Sequence, residues 1–88
     1  MANITSQMKR NRQNERRHER NKAIRSELKT RSANAIAAAE AGDADKAEEL
    51  LRIAQQRIDM AVSKGVLHRS TADRRKSRLT AQVRRALG

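Results

Sequence analysis

The chain has 88 residues, three Gly, no Cys, Pro, Phe, Tyr or Trp, and 21 Lys and Arg against 10 Asp and Glu, a formal net charge of +11. That length allows one domain or less, the missing cysteines exclude a disulfide scaffold and thiolate-bound metals, and the missing aromatics exclude base stacking on Phe, Tyr or Trp. Such a charge makes nucleic acid the first partner to consider, ahead of an anionic membrane surface.

Met1 to Thr5 form a short lead-in, with Thr5 or Ser6 as the expected helix N-cap. From Ser6 to Ala41 nothing breaks a helix, and most residues are strong helix formers. Inside it lies Lys9–Lys22, KRNRQNERRHERNK, which has no apolar residue, seven basic side chains among its fourteen, and two Glu. A helix without an apolar face cannot be anchored by a protein core. This stretch is therefore expected to fray in isolation and to set as a full helix on a polyanionic partner. Further on, Ile24, Leu28, Ala35 and Ala39 recur at helical spacing with Ile36 at the margin, which predicts a core face. Gly42 ends the helix, because glycine takes the left-handed C′ conformation without steric cost.

Asp43, and less favourably Asp45, can cap a second helix, and Glu48 and Glu49 near its N-terminus suit its dipole. Ala47, Leu50, Leu51, Ala54, Ile58, Ala61 and Val62 make a regular apolar stripe down to Lys64, and Gly65 ends it. Val66 and Leu67 lead into Ser70-Thr71-Ala72-Asp73, which resembles a capping box with Asp in place of the stronger Glu. A third helix is predicted from Thr71 to about Leu87. Its inward residues are Ala72, Leu79, Val83 and Ala86, with Leu87 frayed.

Lengths then set the architecture. At about 1.5 Å per residue the helices measure roughly 54, 32 and 25 Å. The short turn at Gly42 sends the second helix back antiparallel along the first. Its return reaches only about as far as residue 20, and the third helix climbs again beside both. The expected fold is all-α: a three-helix bundle with a long first helix whose N-terminal half overhangs. It reads as a single domain, with residues 1–22 a basic arm and residues 23–88 the bundle.

Charge follows the same division. Residues 1–32 carry ten basic and three acidic side chains (+7), residues 33–65 four and six (−2), and residues 66–88 seven and one (+6). At about 100° per residue Lys9, Arg12, Arg16 and Arg20 fall on one line, with Arg10 and Arg17 beside them, Gln13 inside the arc and Asn14 and Asn21 at its edge. Guanidinium forks suit phosphate oxygens, and Asn and Gln can reach 2′-hydroxyls or base edges. The second basic group is Arg69, Arg74, Arg75, Lys76 and Arg78, near the base of the arm if the third helix runs parallel to the first. Arg84 and Arg85 suit phosphate and the dipole of the last turn equally.

Chemistry finds no support. His18 and His68 lie far apart in basic surroundings, which suits phosphate or solvent better than a metal. Asp43 and Asp45 read as caps. Glu15 and Glu19 follow Arg12 and Arg16 by three residues and relieve like-charge repulsion. No phosphate loop, nucleophile motif or metal spacing occurs, so neither an enzyme nor a cofactor, metal or small-molecule substrate is expected. No apolar run approaches the roughly 18 residues that span a bilayer, the N-terminus lacks the apolar block of a signal peptide, and the arm has no face to insert into a membrane. A cytosolic site of action is expected. A basic-leucine zipper fails because Gly42 interrupts the apolar repeat. Composition leaves RNA modestly ahead of DNA, with a DNA compactor as the alternative.

The segments SQMKRNRQNERRHERNKAIRSELKT, GDADKAEELL and RIDMAVSKGVLHRSTADRRKSRL, with the closing basic helix, resemble the S-twenty family of bacterial small-subunit ribosomal proteins over essentially the whole chain. The Ser-Lys-Gly-Val-Leu-His and Arg-Lys-Ser-Arg-Leu pieces are the most specific. The resemblance implies a three-helix bundle with an extended first helix, bound directly to 16S ribosomal RNA during subunit assembly in the cytoplasm. It implies contact with the 5′ domain, a place near the 3′ decoding arm, and other small-subunit components as neighbours. Carried over, the RNA-contacting residues would be Lys9, Arg10, Arg12, Arg16, Arg17, Arg20 and Lys22, then His68, Arg69, Arg74, Arg75, Lys76, Ser77 and Arg78. The family commonly has Asn where Ser70 stands and Ala where Asp73 stands; Ser keeps a capping role, whereas Asp73 brings a negative charge into the basic run.

Overall fold

A computed structural model describes residues 2–88, with side chains from residue 7 onward. Three helices account for the fold: α1 spans Ala2–Glu40, α2 Ala44–Ser63 and α3 Arg69–Leu87. No strand occurs among the described residues. The capping role expected of Thr5 or Ser6 falls outside the residues whose side chains are described.

Both interhelical turns are built on glycine for one reason. Gly42 and Gly65 have φ of +80° and +73°, a region that costs other residues about 1–2 kcal/mol. At the first turn Asp43 N–H donates to the Ala38 carbonyl at 3.1 Å and Gly42 N–H to that of Ala39 at 3.0 Å. At the second, Val66 donates to Ala61 at 2.9 Å and Gly65 to Val62 at 3.0 Å. This is the Schellman pairing, which satisfies carbonyls that a helix end otherwise leaves open. Asp43 then caps α2 as expected, its Oδ1 accepting from the Lys46 N–H at 3.2 Å.

The start of α3 departs from the expectation. The helix begins at Arg69, and the N-cap is His68 rather than Ser70. His68 Nδ1 accepts from the Ser70 N–H at 3.2 Å and lies 2.8 Å from Ser70 Oγ. Ser70 sits inside the first turn, so no capping box forms with Asp73. An imidazole nitrogen two residues earlier accepts the open Ser70 N–H, one of the unpaired donors of the first turn.

The core has two layers. Near the Gly42 turn, Ala35, Ala38, Ala39, Ala47, Leu51, Ala54, Leu79 and Val83 are buried together. Toward the other end, Leu28, Ile58, Ala61, Val66, Leu67 and Ala72 form the second layer, with Ile24 and Val62 packed against it. The periodicity anticipated most of this set but missed Ala38, Val66 and Leu67. The last two read as a connection, yet they fold under the bundle and close its lower end. Leu87, expected to fray, stays helical and packs half-buried on the upper layer. Leu50, Ala86 and Ile36 are likewise half-buried rather than central.

α2 does end against residue 20: an Arg20 Nη donates to the Lys64 carbonyl at 3.5 Å. Beyond that contact every side chain from Gln7 to Arg20 is exposed. The molecule is accordingly a rod of 64 × 22 × 14 Å with a radius of gyration of 17.4 Å, against about 12 Å for a compact chain of this length.

Candidate nucleic-acid interface

The projecting part of α1 is helical with nothing buried to anchor it; its Arg, Lys, Gln and Glu are good helix formers, and residue type is its one internal support. Lys9, Arg12, Arg16 and Arg20 repeat three or four residues apart and form one row, with Arg10 and Arg17 on its flank. Glu15 and Glu19 make no ion pair among the described residues, whose ion pairs are Arg31–Glu27, Arg57–Glu27 and Lys76–Asp59. The cations of the row are thus not engaged in ion pairs. Asn21 differs from its expected role: it is half-buried, and its Oδ1 is shielded from solvent without a hydrogen-bond partner.

α3 runs parallel to α1, and its first turns sit at the base of the projecting stretch, where Ala72 packs in the same layer as Leu28 and Ile24. His68, Arg69, Arg74, Arg75, Ser77 and Arg78 are exposed there. They do not share one face. Arg75 and Arg78 line the groove between α1 and α3, opposite Arg25 and Lys29. Lys76 and Ser77 line the groove between α2 and α3. In that second groove Lys76 Nζ donates to Asp59 Oδ1 at 2.8 Å, and this bond, ahead of the opposing cost of desolvation, raises the Lys76 ammonium above its ordinary value. Nearby, Gln55 Nε2 donates to Thr80 Oγ1 at 2.9 Å and closes the same seam. Arg84 borders this groove too, while Arg85 lies beside Glu40 at the opposite end of the bundle.

Sequence reasoning passed over Arg25 and Lys29. A signal for them existed: His18, Lys22, Arg25 and Lys29 follow one another at intervals of four, three and four residues, which keeps them on one line of a helix with a drift of about 20°. Reading only the stretch that lacks apolar residues hid a line that continues past its end.

The bundle buries no charged or polar residue, and the described residues contain no group of His, Cys, Asp or Glu able to hold a metal ion. No described helix is long and apolar enough to cross a membrane. What the surface offers is a projecting row of forked and point cations, joined at its base to a second cationic group.

Comparison with known proteins gives a consistent picture. The family described as Ribosomal protein S20 matches residues 2–84. A small ribosomal subunit protein bS20 from Nocardioides sp. is 54% identical over 83 residues, covering 94% of this chain and 96% of that protein. Proteins of the same description from Salinispora tropica and Streptomyces avermitilis are each 52% identical over 83 residues, covering 94% of both chains.

Proposed function

The chain belongs to the ribosomal protein S20 family, and from that premise we propose that it is a structural component of the small ribosomal subunit that binds 16S ribosomal RNA directly. It works in the cytoplasm as part of the ribosome, contacts the 5′ domain of the RNA and lies near the 3′ decoding arm. A ribosomal protein family is not a family of enzymes, which agrees with the absence of catalytic motifs expected from the sequence.

One observation carries the RNA-binding reading: α1 projects past its supporting helices with a row of Lys9, Arg12, Arg16 and Arg20 that makes no ion pair among the described residues. Residues 1–22 act as the arm and residues 23–88 as the bundle that aims it. Phosphate oxygens take the place of the missing acidic partners, and each neutralised phosphate releases a condensed counterion. Arg10, Arg17 and Lys22 widen the contact around the helix. At the base of the arm His68, Arg69, Arg74, Arg75 and Arg78 add a second contact, with Ser77 at its border. Lys76 joins only by exchanging its bond to Asp59 for a phosphate. Because no Phe, Tyr or Trp is available, recognition rests mainly on the shape of the folded RNA and the positions of its phosphates rather than on stacked bases.

The test is a salt titration of the full chain on 16S ribosomal RNA, repeated with excess duplex DNA. Engagement of about eight phosphates gives a slope of log affinity on log salt of roughly −6 to −7, and one tight site survives the competitor. A slope near zero, or loss of the site to DNA, refutes the reading.

A further inference from the structure

The three helix pairs leave three grooves, and their charges differ. Between α1 and α2, Glu27 accepts from Arg31 at 3.1 Å and from Arg57 at 3.3 Å. Between α2 and α3, Asp59 accepts from Lys76 at 2.8 Å. The lower part of the α1–α3 groove has no such acid; Glu40 lines only its far end, with Ile36, Gln82 and Arg85. The walls of that lower part carry Arg25 and Lys29 on one side and Arg75 and Arg78 on the other, and no Asp or Glu lines it. None of the four cations takes part in an ion pair among the described residues. Four like charges around one slot repel each other, so an anion between the walls is favoured there.

The floor limits what that anion can be. Ala33 and the half-buried Ile36 line the slot above the buried Leu28 and Leu79. A free inorganic anion gains nothing from an apolar floor. An RNA strand presents phosphates at its edge and an apolar ribose face between them, and so matches both features. A duplex lying across the slot would meet its rims rather than its inward-facing walls.

We propose that the α1–α3 groove seats a single strand of RNA, with phosphates held between the Arg25–Lys29 wall and the Arg75–Arg78 wall and a ribose resting on Ile36. This deepens the RNA-binding reading and depends on it. Arg25 and Lys29 are then RNA-contacting residues in their own right, and the groove is a contact separate from the projecting row. The line through His18 and Lys22 leads the strand from the groove toward the arm.

The experiment uses the full chain and 16S ribosomal RNA. Arg25→Gln with Lys29→Gln, and separately Arg75→Gln with Arg78→Gln, should each lower the salt slope by about 2 and weaken binding tenfold or more. Arg52→Gln, on the exposed side of α2, should leave both unchanged. Arg12→Gln with Arg16→Gln serves as the arm variant. If the arm variant loses affinity while both groove variants bind as the parent does, the groove proposal is overturned and the RNA-binding reading stands. If neither arm nor groove variants lose affinity, both fall. A second readout does not depend on neutralised variants: the chain has no Cys, so Ala33→Cys offers a unique thiol for an iron chelate. Hydroxyl radicals from that tether should cut one short run of the RNA; no cleavage, or crosslinking of the same thiol to protein alone in assembled subunits, overturns the proposal.

Discussion

The Arg20 guanidinium donates to the Lys64 carbonyl across 3.5 Å, tying the last turn of the bare stretch of α1 to the C-cap of α2. A carbonyl at a helix C-terminus has no partner within its own helix and attracts a cation. The contact is exposed and long, which makes it a marker of where support for α1 ends more than a source of stability.

Removing residues 1–22 should therefore leave the bundle standing. The truncated chain keeps both core layers and loses this contact and the packing of half-buried Asn21, together on the order of 1 kcal/mol. Circular dichroism should show a helical protein that still melts cooperatively, while tight binding to 16S ribosomal RNA disappears. The complementary measurement is made on the whole chain, whose helical signal should rise when RNA is added, as the arm sets. A truncated chain that binds as tightly as the parent would contradict the division into arm and bundle.

His68 holds two roles that substitution can separate. Its Nδ1 accepts the Ser70 N–H, so in the neutral ring the proton sits on Nε2, which leaves a donor for phosphate. His68→Ala removes cap and donor together and should cost about 0.5–2 kcal/mol of stability, seen as a lower urea midpoint. His68→Asn restores a capping oxygen and should recover the midpoint without recovering the parent affinity for RNA. Equal losses of stability in both variants would show that the cap is not what His68 contributes.

Asp59 restrains Lys76. Asp59→Asn frees that ammonium for a phosphate, so RNA affinity should rise and the salt slope steepen by about 1, with little change in the melting temperature because the pair is solvent-exposed. The sign of the pH effect follows from the direction of the shift. Lys76 is raised above 10.5 by its hydrogen bond to Asp59, so the contribution of the pair is complete below that pH and fades as pH climbs through the raised value. An NMR titration of the Lys76 ammonium in the parent and in Asp59→Asn should show the titration moving back toward 10.5 in the variant.

Much of the fold was legible before any coordinates. The stripe from Ala47 to Ala61 and the glycines at 42 and 65 marked α2, because apolar spacing and left-handed backbone are local properties of the chain. The overhang was legible as well, since the rise per residue is constant and a 20-residue helix cannot cover a 39-residue one. Val66 and Leu67 were not legible as core: a short connection shows no periodicity, and only the closing of the lower layer over Ala61 and Ala72 buries them. The cap at His68 escaped for a related reason, because a serine two residues later matches the expected pattern more closely than an imidazole does.

Taken alone, the sequence determined where the cations concentrate, which part of α1 must go without a core, and where each helix stops. All of these follow from residue type and spacing along one helix. Only the tertiary structure decided which cations remain available. Lys76 and Arg75 are neighbours in sequence, yet one turns toward Asp59 on α2 and the other toward Arg25 and Lys29 on α1. Successive residues on a helix point about 100° apart, so the packing of three helices sends them into different grooves, and the charge each meets there comes from a distant part of the chain.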